Sequence, residues 1–268
     1  MSMKYLLFAI LLHILPALSL MAQSDAEWNV PGKTYTLEFP ELPPPFIALA
    51  LDTTVVTRMS VYLPENYSAD HDYPLMLWCN GGDGGTGNLL KRPKEITGNR
   101  DYICANFPLF KAEFEPMKPD SSNWIWRWLI RDWDHDFLWA AYSVMLEELH
   151  RRIPNIERRN SVMGGFSNGA HTVVALLNGD NGIRQYFRRY FIADGGIFLH
   201  TKQEMRGMSL LMFKAENNDN TNPMEYIYRD LRLNDIDTEY VLMEGAGHSF
   251  SPKHYGTLRD WLMNTWRE

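Results

Sequence analysis

The chain has 268 residues, enough for one domain of ordinary size with a well-filled core. Hydrophobic residues at 45% and aromatics at 13% exclude a disordered chain. A formal charge of −7 argues against nucleic acid and anionic membrane surfaces as main partners.

The N-terminus reads as an export signal. Lys4 supplies the positive end, Tyr5 to Leu20 is largely apolar, and Ala22 offers a cleavage point before Gln23. A membrane anchor is the alternative for the same stretch. Removing residues 1–22 takes away one lysine and no acid, which shifts the charge to −8. The expected location is therefore exported, periplasmic or secreted, with no stable membrane insertion once the signal is cut.

Residues 23–57 read as an extended lead-in, because Pro40, Pro43, Pro44 and Pro45 oppose helix. Strands and helices then alternate. Val55 to Leu63 alternates like a strand, and Pro74 to Cys79 and Tyr102 to Ala105 are short apolar runs. Asp136 to Ile153 carries apolar residues at helical spacing. Asn160 to Met163 predicts a strand and Asn168 to Leu177 a helix. Tyr190 to Ala193 and Leu210 to Phe213 predict strands, Pro223 to Leu233 a helix, Glu239 to Met243 a strand and Tyr255 to Trp266 a closing helix. This order predicts an α/β chain, with a mostly parallel sheet covered on both faces and its site at the carboxyl ends of strands. Cys79 and Cys104 both fall in strand candidates; two reduced, buried thiols are expected, with a disulfide as the alternative.

Gly165-Phe166-Ser167-Asn168-Gly169 has the G-x-S-x-G form that sets a serine on a tight strand-to-helix turn, where flanking Cβ atoms would clash. A serine hydroxyl needs a base, and the base needs a carboxylate to hold its tautomer. His248, in Glu244-Gly245-Ala246-Gly247-His248-Ser249-Phe250, is the candidate base. Asp219, which follows Ser167 by 52 residues and precedes His248 by 29, is the first candidate acid. Glu216 is a substitute three residues earlier, and Asp194, after the strand ending at Ala193, is a third candidate. Backbone N–H groups of Asn168 and Gly82 are the candidate oxyanion donors.

With these pieces in order, the chain resembles the secreted esterase branch of the α/β-hydrolases that includes feruloyl esterases and poly(3-hydroxybutyrate) depolymerases. The matching segments are Pro74 to Gly82, Gly165 to Gly169, Asp219 to Pro223 and Gly247 to Phe250, with the helix from Asp134 to Ile153 at similar spacing. The likeness covers about residues 58–268, so 58–268 is the expected catalytic domain. It implies an α/β-hydrolase fold, Ser167 as nucleophile, His248 as base, Asp219 as acid and no cofactor. It also implies an ester substrate, small or polysaccharide-borne. The family usually has a histidine where this chain has Asn80. A peptidase or dienelactone-type hydrolase is the rival within enzymes, although the latter favours cysteine at position 167. A catalytically silent carbohydrate-binding relative is the rival from another class.

Three other features invite competing readings. Gly82-Asp83-Gly84-Gly85-Thr86-Gly87 satisfies G-x-G-x-x-G, but Pro93 follows soon after and no P-loop lysine is present, so the oxyanion loop accounts better for the glycines. Asp132-x-Asp134-x-Asp136 resembles a calcium loop, yet Phe137 stands where glycine is needed and Ser143 where glutamate is. Acids complementing a helix start explain it better, and no metal is expected. Residues 107–133 form an aromatic-rich insertion with Phe107, Phe110, Phe114, Trp124, Trp126, Trp128 and Trp133, either packing onto the core or lining a pocket. His171, one turn after Ser167, is expected to pack nearby.

Overall fold

The computed structural model describes residues 28–112 and 128–264. The expected signal at 1–22 lies outside the described residues, as do Phe114, Trp124 and Trp126.

β3 (Tyr73–Cys79) is buried at every position, as a central strand covered on both faces must be. Around it lie β1 (Thr34–Phe39), β2 (Thr57–Tyr62), β4 (Ile103–Phe107), β5 (Ile156–Phe166), β6 (Arg189–Ala193), β7 (Ser209–Ala215) and β8 (Asp237–Met243). The sheet order is β1-β2-β4-β3-β5-β6-β7-β8. β1 and β2 pair antiparallel, as do β2 and β4, and every other pair is parallel.

Helices cover both faces. α1 (Phe46–Ala50) and α2 (Lys91–Thr97) are short; α3 (His135–Arg152) and α4 (Asn168–Asn178) are the long pair; α5 (Ile183–Tyr186), α6 (Pro223–Leu233) and α7 (Tyr255–Asn264) follow. Alternation along the strands splits the core in two. Leu75, Leu77, Ile103 and Met163 pack on one side with α3 and α4. Met76, Trp78, Val162 and Phe213 pack on the other with Ile96 of α2 and Leu258 and Leu262 of α7.

Part of the lead-in belongs to this sheet. Tyr35, Leu37 and Phe39 alternate inward along β1, an edge strand that pairs with β2 in register from Thr34↔Tyr62 to Phe39↔Thr57. The same alternation separates the cysteines. Cys104 lies opposite Met76 and Cys79 opposite Phe107, three rungs apart, so the thiols project from opposite faces. Both are free and buried. Burial pushes the Cys79 thiol up and the Cys104 thiol to about 12. α2 was not legible because Pro93 falls within it. It occupies the first turn, where a missing N–H costs nothing.

Because β4 and β5 flank β3 on opposite sides, the chain reverses its winding between β3 and β5. A crevice opens there at the carboxyl ends of these strands, where the loops after Cys79 and Phe166 meet.

Candidate active site

Ser167 joins β5 to α4 with φ 57° and ψ −122°, a left-handed conformation strained for a residue with a Cβ. The turn exists only because its neighbours are glycines. A Cβ on Gly169 would stand 2.0 Å from the Cys79 carbonyl oxygen, and one on Gly165 2.6 Å from the Gly169 carbonyl carbon. The Ser167 N–H donates to Ala193 O at 2.9 Å, which locks the turn to the end of β6.

Ser167 Oγ lies 2.8 Å from His248 Nε2, and His248 Nδ1 lies 2.6 Å from Asp194 Oδ2. Asp194 follows β6 directly, also in the left-handed region with φ 42°, and its side chain is fully buried. Burial alone would raise its pKa. Hydrogen bonds from His248, Asn218, Thr221 and the Ala215 N–H outweigh that and hold the carboxyl below its ordinary value. Asn218 Nδ2 donates to Oδ2 at 2.8 Å, Thr221 Oγ1 to Oδ1 at 2.8 Å and Ala215 N to Oδ1 at 3.2 Å. An ionised Asp194 can only accept, so Nδ1 of His248 carries the proton and Nε2 presents its lone pair to Ser167. Asn218 Nδ2 also lies 3.1 Å from Nδ1, but this brings two donors together and its hydrogen bond goes to Asp194. The Phe166 ring stacks on the imidazole with centroids 4.9 Å apart.

Beside Ser167 is a cavity of ≈ 420 Å³, lined by Gly82, Trp128, Leu129, Ile197 and Asn220 among others. Its size falls in the range of small-molecule sites. The N-terminus of α4 points its first N–H groups, Asn168 among them, to the same place. Gly82, with φ 61°, comes from the loop after β3. His171 also lines the cavity, and burial, with Arg131 and His248 nearby, pushes its pKa down to about 3, so it is neutral.

Comparison with known proteins gives structural matches at low identity. No protein-family model matches the sequence, and no curated protein matches it. A ferulic acid esterase superposes with a TM-score of 0.60 at 11% identity, over 88% of this chain and 99% of that one. A fungal esterase from Rhizomucor miehei gives 0.57 at 14%, over 98% and 96%. A Bacteroides ovatus protein assigned as a dipeptidyl aminopeptidase IV gives 0.57 at 12%, over 88% of this chain. The chain spans only about a third of that longer protein, 36%. The chain has the α/β-hydrolase fold. In this hydrolase fold Ser167 occupies the elbow after β5, Asp194 the end of β6, and His248 the loop after β8.

The site thus brings Ser167, His248, Asn168 and Gly82 together, while the expected acid, Asp219, is elsewhere. Asp219 starts a single 3₁₀ turn and accepts from Asn222 Nδ2 at 3.3 Å on the surface. Glu216 is also exposed and accepts from the Gly245 N–H at 2.8 Å. The carboxylate at His248 is that of Asp194, because the turn at φ 42° aims it across the end of β7 to the imidazole. The β7 loop contributes neutral donors, Asn218 and Thr221, in place of the acid. The sequence signal was Ala193-Asp194-Gly195-Gly196, an acid at a strand end followed by glycines. A Cβ on Gly195 would approach Ser167 O to 2.4 Å, which ties that turn to the elbow.

The aromatic insertion divides between its two readings. Phe107 stacks on Tyr142 at 3.9 Å and Phe110 packs beside it in the core, whereas Trp128 lines the cavity. Trp133 is exposed. The three acids of the apparent calcium loop are engaged separately. Asp134 pairs with Lys111, Asp132 meets Asn178 and His200, and Asp136 lies 3.1 Å from His135.

Proposed function

We propose that the chain is a serine hydrolase that cleaves carboxylic esters through an acyl-enzyme. The observation that carries this reading is the continuous relay from Ser167 Oγ through His248 to the buried Asp194, at 2.8 and 2.6 Å. Ser167 attacks the ester carbonyl while His248 Nε2 takes its proton. Asp194 keeps the imidazole in the required tautomer and stabilises the imidazolium. The tetrahedral oxyanion is received by the Asn168 N–H at the positive end of α4 and by the Gly82 N–H. His248 then returns the proton to the leaving alcohol, and water, activated by the same base, releases the acid. No cofactor enters this scheme.

The names of the ferulic acid esterase and the fungal esterase support esters as the substrate class. An esterified polysaccharide fragment is the natural substrate favoured by the resemblance and by the exposure of Trp128 to the cavity. Export is proposed on Lys4 and the apolar run from Tyr5 to Leu20. A peptidase is the second reading, with the dipeptidyl aminopeptidase neighbour in its favour.

Turnover of a p-nitrophenyl acyl ester series and of aminoacyl p-nitroanilides, by wild type and Ser167→Ala, tests the proposal. Ester turnover lost in the variant, by roughly 10⁶-fold in kcat, is expected. Equal rates in the two proteins would remove Ser167 from the mechanism, and anilide turnover exceeding ester turnover would favour the peptidase.

A further inference from the structure

The Asn168 side chain has no part in the scheme above, which uses only its backbone N–H, yet it is 2% exposed and almost fully committed. Its amide nitrogen donates to Gly82 O at 2.7 Å and to Trp128 O at 2.8 Å. Its amide oxygen accepts from the Ile130 N–H at 2.8 Å. An amide offers two N–H donors, and both are spent on carbonyls of two separate loops. One loop carries Gly82, at the proposed oxyanion site. The other, from Trp128 to Ile130, forms a cavity wall with Trp128 and Leu129.

We infer that the Asn168 side chain is a positioning residue that fixes the Gly82 loop and the Trp128–Ile130 wall against the nucleophile turn. The inference rests on the serine hydrolase reading. Ser167 and Asn168 are consecutive, so a clamp at Asn168 references both loops to the attacking oxygen across one peptide unit. Only a carboxamide of this length satisfies all three partners. A carboxylate of the same shape would keep the Ile130 contact, lose both donations and face two carbonyl oxygens with a negative charge.

The test compares wild type, Asn168→Asp and Asn168→Ala on p-nitrophenyl acetate, with kcat expressed per site titrated by a fluorophosphonate, alongside thermal unfolding. A displacement of Gly82 by about 1 Å is enough to lower kcat roughly 100-fold. The expected result is a kcat loss of roughly 10- to 100-fold per titrated site in both variants, with KM changed far less. A lower melting temperature with unchanged kcat per titrated site would overturn the inference and leave Asn168 as packing alone. Should neither variant fold, Asn168→Gln, which keeps the amide but displaces it by a methylene, takes their place with the same readouts. Failure of the underlying reading is separately visible, since the wild type would then go unlabelled by the fluorophosphonate, or Ser167→Ala would be labelled as well as the wild type.

Discussion

Among the described residues two aspartates, Asp134 and Asp194, have fully buried side chains, and their surroundings differ in what balances the charge. Asp134 faces Lys111 Nζ at 3.1 Å, with the lysine side chain only 4% exposed, so a resident cation balances the carboxylate. It also accepts from the N–H groups of Ala112 and Arg131, on either side of residues 113–127. Among the described residues no lysine or arginine pairs with Asp194. Its oxygens are held by Asn218, Thr221 and the Ala215 N–H, all neutral, and by a histidine whose side chain is 51% exposed. A carboxylate already paired has nothing left for a charge that comes and goes. One held by neutral dipoles stays ionised yet keeps its attraction for the imidazolium of the proposed reaction.

The sharpest break in this comparison comes from neutralising each carboxylate or its partner. Asp194→Asn is expected to lower kcat on p-nitrophenyl acetate by roughly 10⁴-fold, because an amide at this position favours the wrong imidazole tautomer. Asp219→Asn and Glu216→Gln, measured in the same assay, are expected to leave kcat close to wild type. Lys111→Met should act on stability instead. It leaves Asp134 buried and unpaired, at a cost of about 3–5 kcal/mol in urea unfolding, with a much smaller loss of kcat per active site.

Acid should distinguish the wild type from Asp194→Asn in a smaller way. The folded-state pKa of Asp194 lies below its unfolded value. Its stabilisation is therefore complete above the ordinary carboxylate range and lost as pH falls through the depressed folded value. Urea unfolding at decreasing pH should show wild type losing stability that the variant never had, so the two curves converge in acid. The smallest expected effect concerns the thiols. Both are buried with raised pKa values, so a thiol reagent should modify neither in the native protein and two after denaturation.

What could be read in the sequence was local. The elbow is legible because the clash that demands Gly165 and Gly169 involves neighbours in the chain and one adjacent strand. His248 is legible because the glycines at 245 and 247 precede it in an exposed loop. The strands from β2 to β8 follow from their apolar runs, although β5 extends from Ile156 to Phe166, well beyond the four residues its pattern marks. The acid could not be read in the same way. Asp194, Glu216 and Asp219 all follow apolar strands, and the glycines after Asp194 mark a tight turn without telling which carboxylate reaches His248. The choice is made by a left-handed turn after β6 and by donors 21 to 27 residues further on, at the end of β7 and in the loop after it. The Asn168 clamp was hidden for the same reason, since its acceptors at Gly82 and Trp128 are 86 and 40 residues away.

The central claim is that Asp194, and no other carboxylate, holds the His248 proton for Ser167. Proton NMR of the bridging Nδ1–H tests it most directly, because a charge-assisted hydrogen bond of 2.6 Å should carry a strongly downfield resonance. That resonance should appear in wild type and in Asp219→Asn, and vanish in Asp194→Asn and His248→Ala. Its persistence in Asp194→Asn, or its loss in Asp219→Asn, would contradict the assignment.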